Sequence, residues 1–229
     1  MKKYCLSLLF IIFNAIILLC FIGCNSGSKH KSSINLGGIE LSVEPGERWL
    51  GKMKILIFSI NKTPQMAAWI ENEQGNYIST IIVTNKNVKK NWTSAPKEGR
   101  PEALPVWNNK IQNNINISQI DSVSAATSKG AVDVKINNGS LINGQEYSVY
   151  LEINHSFDYN DFWTENNSGV NGQPSLIYHA NFIAGVPGRI ALYPIGYGSV
   201  DGSDGNIIYG FNGITTALTI IKNVNLTVY

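Results

Sequence analysis

Apolar and polar residues alternate along several short segments of this chain. Residues 39–43 alternate in this way and are followed by the turn residues Glu44, Pro45 and Gly46. Residues 146–153 show the same period of two. Because successive side chains of a strand point to opposite faces, this pattern predicts strands with one buried side.

Other segments predict additional strands. The mostly apolar run 54–60 predicts one core strand, since it is too short for a convincing helix. Residues 66–72 and 77–84 predict a hairpin, in which Gly75 supplies the positive φ of a tight turn. Four later segments are also β-like and are separated by turns: residues 131–136, 176–183, 190–193 and 215–228.

The β pattern disappears between residues 85 and 118. This stretch predicts a connector with a short helical turn, and we expect Trp92 and Trp107 to pack it against a sheet. Many short strands without regularly alternating helices predict an all-β fold, an antiparallel sandwich with a short helical and loop insertion.

The N-terminus has the pattern of a secretory signal. Lys2 and Lys3 precede an apolar run over residues 8–22, and Gly23-Cys24 is followed by polar residues. Residues 1–23 therefore predict a signal peptide of the bacterial lipoprotein type, with Cys24 as the lipid-bearing residue. The alternative is an uncleaved transmembrane helix, because about 20 apolar residues span a bilayer.

This signal divides the chain and predicts its location. Residues 24–36 predict a flexible tether, and residues 37–229 a β-sandwich domain held to a membrane of the cell envelope, outside the cytoplasm. The chain contains three cysteines, Cys5, Cys20 and Cys24. Cleavage before Cys24 leaves one cysteine, so the mature protein is expected to have no disulfide and no cysteine-based metal or redox site.

Charge excludes one class of partner. The chain has 18 lysines and arginines against 16 aspartates and glutamates, and loss of Lys2 and Lys3 leaves 16 of each sign. The predicted mature domain is formally neutral. Nucleic-acid binding is not expected, since it needs a basic surface.

Five short motifs within residues 54–157 resemble an uncharacterised family of bacterial predicted periplasmic proteins. This resemblance implies an immunoglobulin-like sandwich of the flagellar hook-cap type. Such proteins are often encoded beside PepSY-type membrane proteins and ApbE-type FMN transferases, which implies envelope partners or such a transferase. Residues 158–229 lie beyond the matched part and predict a C-terminal β extension. The motifs are residues 68–71, 90–92, 104–107, 121–127 and 144–152.

One of these motifs resembles the acceptor sequence of ApbE-type flavin transferases. Asp121, Ser124 and Thr127 occupy its characteristic positions, with Ala125 and Ala126 between the two hydroxyl residues. The resemblance implies covalent FMN, joined through its phosphate to the Thr127 hydroxyl, with Asp121 and Ser124 in the recognised motif. The alternative is that this segment is a strand edge and turn that closes the sandwich.

The sequence favours a non-enzyme. It lacks a Gly-x-Ser-x-Gly motif, and lone histidines such as His155 and His179 are commonly hydrogen-bonded structural residues. Oxygen-bearing residues cluster at 158–161 and 201–206. Turn formation explains both clusters more simply than calcium binding, so no metal site is predicted.

Aromatic residues suggest a possible binding surface. Tyr159 and Trp163 lie in a stretch rich in Asn and Asp and could form a platform for a carbohydrate or a peptide. The alternative is that these rings cover an open end of the sandwich. The sequence therefore predicts a binding or assembly module of the cell envelope. FMN-linked electron transfer and carbohydrate or peptide binding are the alternatives.

Overall fold

Alternation in the first strand builds the smaller sheet of a sandwich. In β1 (Ile39–Pro45), Ile39, Leu41 and Val43 are buried. The strand lies between two others of the same four-stranded sheet, β7 (Val132–Ile136) and β13 (Ile221–Val228), and β10 (Gly188–Ala191) extends the sheet beyond β13. The computed structural model describes residues 38–55, 58–90, 99–112, 124–125, 130–137 and 139–229.

The larger sheet has seven strands: β4 (Gln65–Asn72), β5 (Tyr77–Thr84), β6 (Ser124–Ala125), β8 (Glu146–Asn154), β9 (Leu176–Ile183), β11 (Tyr193–Tyr197) and β12 (Ile208–Tyr209). Their order in the sheet is β12-β11-β9-β8-β4-β5-β6. All neighbouring strands are antiparallel except β5 and β6, which are parallel.

The main core lies between these two sheets. Alternate residues of β8, Val149, Leu151 and Ile153, are buried there together with Leu41 and Leu226 of the smaller sheet. This arrangement confirms the predicted all-β sandwich. The immunoglobulin-like type remains a prediction.

The opposite face of the seven-stranded sheet is apolar as well. Ala67 and Trp69 of β4 point to this outer face, where they form a second core with Leu104 and Trp107. A helical connector supplies this cover. It contains α1 (Asn85–Lys89), a 3-10 helix (Pro101–Ala103) and α2 (Pro105–Gln112). Trp107 is fully buried, as predicted, while Trp92 lies outside the described residues.

Two predicted strands are wrong in their extent. Residues 54–60 contain parts of two strands, β2 (Gly51–Ile55) and β3 (Phe58–Lys62), which pair as a separate two-stranded sheet with Ile55 opposite Phe58. Residues 190–193 contain the end of β10 and the start of β11, which belong to different sheets. No glycine marks the chain reversal within residues 54–60 or the change of sheet within residues 190–193.

The predicted hairpin and the predicted last strand agree more closely with the structure. The hairpin of β4 and β5 turns at Gly75, whose φ is +73° and whose N–H donates to the Asn72 carbonyl (2.9 Å). The last predicted strand begins later than expected, because a 3-10 helix (Thr216–Thr219) precedes β13. A third helix, α3 (Glu165–Ser168), has a capping box formed by Thr164 and Asn167. None of the described helices is long and apolar enough to cross a membrane.

We expect Leu151→Ala to lower the free energy of unfolding by about 2–5 kcal/mol, because Leu151 is fully buried between the sheets and its loss leaves a cavity. Chemical denaturation followed by tryptophan fluorescence measures this change. Ile142→Ala is the control, since Ile142 is 59% exposed and should cost less than about 0.5 kcal/mol. Equal effects of the two substitutions would contradict the assigned core.

Candidate functional site

Three of the residues predicted from the acceptor motif and the lipoprotein signal, Cys24, Asp121 and Thr127, lie outside the described residues. Ser124 belongs to β6, which pairs in parallel with the end of β5: Val83 lies opposite Ser124, and Thr84 opposite Ala125. The described part of the motif, Ser124 and Ala125, therefore lies beside the last residues of the hairpin of β4 and β5.

A buried polar network lies next to this strand pair. Thr84 Oγ1 donates to Gln65 Oε1 (2.9 Å), and Asn87 Nδ2 donates to the same oxygen (3.0 Å). These bonds hold α1 against the starting end of β4. The side-chain Oδ1 of Asn87 is buried and has no hydrogen-bond partner among the described residues.

The two aromatic residues predicted to bind a ligand have different surroundings. The Trp163 ring is half-buried against the main core and contacts Tyr197 edge to face, with centroids 6.1 Å apart. This position favours the alternative in which Trp163 covers the end of the sandwich. The Tyr159 ring instead meets Phe157 edge to face at 6.3 Å, and its hydroxyl donates to the Gly169 carbonyl (2.8 Å).

A lysine lies over the exposed ring of Phe157. Lys62, the last residue of β3, places its Nζ 4.1 Å from the centroid of the Phe157 ring, a cation–π contact. Burial, together with the positive charges of Arg100 and Lys86, lowers the pKa of Lys62 to about 8. The positive charges of Arg100 and Lys86 thus each act on Lys62.

Arg100 is the most firmly held of these cations. Its Nη1 donates to Ser156 Oγ (2.6 Å), its Nη2 to Asn171 Oδ1 (2.9 Å), and its Nε to Glu102 Oε1 (2.7 Å). Asn171 is itself fixed, since its Nδ2 donates to the Glu102 carbonyl (2.7 Å). Arg100 thus joins the connector to the loop that carries Phe157.

We call Lys62, Lys86, Arg100, Phe157 and Tyr159 the aromatic–cationic patch. The side chains of Lys86 and Phe157 are exposed, and those of Lys62 and Tyr159 are half-buried. Sequence analysis singled out only Tyr159. Lys62 and Arg100 come from a strand end and a connector far from Phe157 in sequence, so no local pattern indicates that they meet.

The acidic residues considered as calcium ligands make protein hydrogen bonds instead. Both Asp158 carboxylate oxygens accept from Thr216 Oγ1 (2.8 Å each), and one accepts from Gln173 Nε2 (2.9 Å). In the second loop, Asp201 accepts from the Ser203 N–H (3.0 Å). Throughout the described part of the chain, no group of three or more His, Cys, Asp or Glu residues could hold a metal ion.

His155 also has a structural role. It is buried, and its Nε2 lies 2.9 Å from the Trp49 carbonyl oxygen. Burial is the main cause that lowers the pKa of His155. Since a carbonyl can only accept, the ring carries its proton on Nε2 and holds residue 49 against the end of β8.

A second buried ionisable group, Glu152 in β8, joins α2 to the sheet. Its carboxylate accepts from the N–H groups of Val106 (3.2 Å) and Trp107 (2.8 Å) and from the Ser175 hydroxyl (2.6 Å). The two N–H groups belong to the first turn of α2 and have no partner within the helix. Burial raises the pKa of Glu152 to about 7, even though these hydrogen bonds favour the charged form.

Comparison of the chain with protein-family models, curated proteins and solved structures found no match. The family resemblance and its functional implications therefore remain predictions.

Glu152 predicts a specific pH dependence of stability. A carboxyl whose pKa is higher in the folded than in the unfolded state favours folding below its unfolded pKa of 4.5, and this contribution is lost as pH rises toward 7. We expect Glu152→Gln to remove the loss. The difference in unfolding free energy between wild type and variant should change by about 2 kcal/mol between pH 5 and pH 8, in favour of the variant.

Urea denaturation at each pH measures this difference, and the variant serves as the reference for all other titrating groups. Parallel pH profiles for the two proteins would show that Glu152 titrates alike in the folded and unfolded states.

Backbone strain at Phe157 gives another prediction. Its φ is +64°, a left-handed conformation that glycine adopts more easily than other residues. We expect Phe157→Gly to be more stable than Phe157→Ala by about 1 kcal/mol. At Lys86 in α1 the order should reverse, with alanine more stable than glycine by a similar amount. Thermal unfolding of the four variants tests both orders; the same order at both positions would refute the argument.

Proposed function

We propose that this chain is a lipid-anchored, extracytoplasmic protein of the cell envelope that acts as a binding or assembly module and not as an enzyme. The lipoprotein-like signal over residues 1–23, which Cys24 follows, supports the location. The aromatic–cationic patch supports the binding role.

One observation supports the binding role: a hydrogen-bonded loop and connector hold a positively charged and an aromatic side chain partly exposed at the surface. Arg100 is hydrogen-bonded to Ser156, Asn171 and Glu102, while the neighbouring Lys62 and Phe157 remain partly open to solvent. A preformed surface loses little conformational freedom on binding, which favours affinity. Loops fixed on a rigid sandwich commonly carry function in this way.

A second candidate function is that of a flavin-carrying accessory protein in electron transfer, with FMN on Thr127. The position of β6 favours it. Ala125, in the acceptor-like motif, pairs with Thr84, which directly precedes α1 and its residue Lys86. Ser124 and Ala125 thus pair with the residues that precede Lys86, whose positive charge favours an anion nearby. Asp121 and Ser124 would belong to the sequence that a transferase recognises.

Carbohydrate or peptide binding has weaker support. Tyr159 is half-exposed and suits stacking on a ligand, but the Trp163 ring packs against the core and Tyr197. The two rings proposed for one platform therefore have separate roles. Binding at Tyr159 alone remains compatible with the aromatic–cationic patch.

Mass spectrometry of the protein purified from its native membranes tests the anchor and the cofactor together. We expect an N-terminal lipid on Cys24 in place of residues 1–23. A soluble cytoplasmic protein that retains Met1 and carries no lipid would refute the proposed location.

Coexpression with an FMN transferase tests the second candidate. In the expected transfer, the bond from the Thr127 oxygen to the FMN phosphorus forms while the pyrophosphate bond of a flavin dinucleotide donor breaks, and a nucleoside monophosphate leaves. We expect the wild-type chain to gain covalently bound FMN and its yellow colour, and Thr127→Ala to lose both because the acceptor hydroxyl is absent. Thr127→Ser retains a hydroxyl and is the matched control, which should retain FMN. Equal FMN content in the wild type and Thr127→Ala would rule out Thr127 as the attachment site.

A further inference from the structure

We infer that one end of the sandwich docks on the surface of a lipid bilayer through an exposed apolar tip. This apolar tip consists of Ile142 in the loop before β8, Ile183 at the end of β9, and Val186 in the turn before β10. Its partner is the lipid itself, at the level of the headgroups and the first acyl carbons. The inference rests on the proposed lipid anchor at Cys24 and does not depend on the aromatic–cationic patch.

Backbone hydrogen bonds hold the two loops of the apolar tip together. The Gly144 N–H donates to the Ala184 carbonyl (2.9 Å), and the Ala184 N–H donates to the Gln145 carbonyl (2.9 Å). A third bond closes the turn after β9, from the Val186 N–H to the Ile183 carbonyl (3.2 Å). The apolar tip is therefore a preformed surface, which loses little conformational freedom when it binds.

The side chains of the apolar tip are exposed at positions where solvated turns commonly carry polar residues. Ile142 is 59% exposed, Ile183 45% and Val186 54%. The neighbouring Leu141 and Ala184 are buried, so the same two loops also have an apolar side toward the core. Exposed apolar side chains that lie together are typical of surfaces that bind a protein or a membrane.

The strand register places the apolar tip at the end of the sandwich where the predicted tether joins. Gly188, the first residue of β10, pairs with Val228, which pairs on its other side with Ile39. These two interstrand steps amount to about 10 Å. Val186 lies two residues before Gly188, and the first described residue, Gly38, directly precedes Ile39. The predicted tether therefore joins the domain beside the apolar tip.

Chain length favours contact of this end with the bilayer. Gly38 lies 14 residues after Cys24. A polar coil of that length has a root-mean-square span of about 20 Å, whereas the nine residues of β8 extend over about 27 Å. The opposite end of the sandwich carries another exposed valine, Val170, in the loop between β8 and β9. A lipid on Cys24 would therefore keep the apolar tip closer to the bilayer than Val170.

Charge indicates that the apolar side chains, and not an anionic headgroup, supply the attraction. Glu40, Lys135 and Arg189 lie in one row across the four-stranded sheet, next to the end that carries the apolar tip. Glu146 lies opposite Ile183 in the larger sheet. These four described residues balance in charge. Insertion of apolar side chains into the interfacial region of a bilayer then provides the driving force.

Fluorescence quenching by brominated lipid tests the inference on the lipidated chain, purified from membranes and placed in phosphatidylcholine vesicles. Val186→Cys, labelled with a fluorophore on its thiol, reports on the apolar tip. Labelled Val170→Cys is the matched control, since it replaces an exposed valine of the opposite end. We expect lipid with bromine on its acyl chains to quench the label at residue 186 and not the label at residue 170, because bromine quenches only on contact.

A charge placed in the apolar tip should release it from the bilayer. In a second series the fluorophore is carried by Ile142→Cys. Adding Val186→Asp should lower the ratio of docked to undocked domains about tenfold, because apolar burial is lost and a carboxylate is desolvated. Val170→Asp should leave this ratio unchanged. Added phosphatidylglycerol or high salt should change it less than about twofold, since the charges around the apolar tip balance.

Mass spectrometry of the same samples separates failure of this inference from failure of the proposed location. Equal quenching at residues 186 and 170, or none at residue 186, in a chain that carries lipid on Cys24 would overturn the docking alone. Self-quenching that grows with the number of chains per vesicle, without quenching by bromine, would assign the apolar tip to a second copy of the chain. A chain without lipid on Cys24 would overturn the location and, with it, this inference.

Discussion

The seven-stranded sheet is apolar on both faces, and this constraint determines the rest of the architecture. Met66 and Trp69 of the same strand are both fully buried, although they point to opposite sides. One face is covered by the four-stranded sheet. The other cannot be left to solvent without exposing a large apolar surface, so the chain between β5 and β7 supplies a second cover. A two-sheet sandwich thereby gains a helical third layer.

Glu152 fixes this third layer and, through it, the candidate site. Its carboxylate holds the first turn of α2, and the residues just before that turn form the 3-10 helix after Arg100. Arg100 then bonds to Ser156, four residues beyond Glu152 in the same strand and loop. Two polar contacts, that of Glu152 with the first turn of α2 and that of Arg100 with Ser156, therefore connect the patch to the core. A buried carboxylate is tolerated here because the unpaired N–H groups of a helix terminus compensate part of its desolvation.

The sequence predicts the individual strands better than it predicts which strands pair and which distant side chains meet. Alternation identifies β1 and β8 because each has one face toward the main core. The run 54–60 is misread since apolar content alone does not reveal a reversal without a turn residue, and the two strands at 190–193 change sheets within a continuous β-like segment. Lys62, Arg100 and Phe157 meet through the contact of Lys62 with the Phe157 ring and the hydrogen bonds of Arg100 to Ser156 and Asn171. These contacts join residues far apart in the sequence, so no periodic pattern of the sequence indicates them.

The strained backbone at Phe157 links this framework to the proposed binding role. The Phe157 N–H donates to the Val170 carbonyl (2.9 Å), and the Gln173 N–H donates to the Asp158 carbonyl (2.9 Å), so the loop is held on both sides of the strained residue. Gly172 permits this close approach, because a Cβ there would lie 2.5 Å from the Asp158 backbone. The fold thus maintains an unfavourable φ where a partly exposed ring lies under a lysine. Because the Phe157 ring is exposed, it adds little to the buried core, and packing does not explain the energetic cost of its backbone conformation. This favours a role for the ring at the surface.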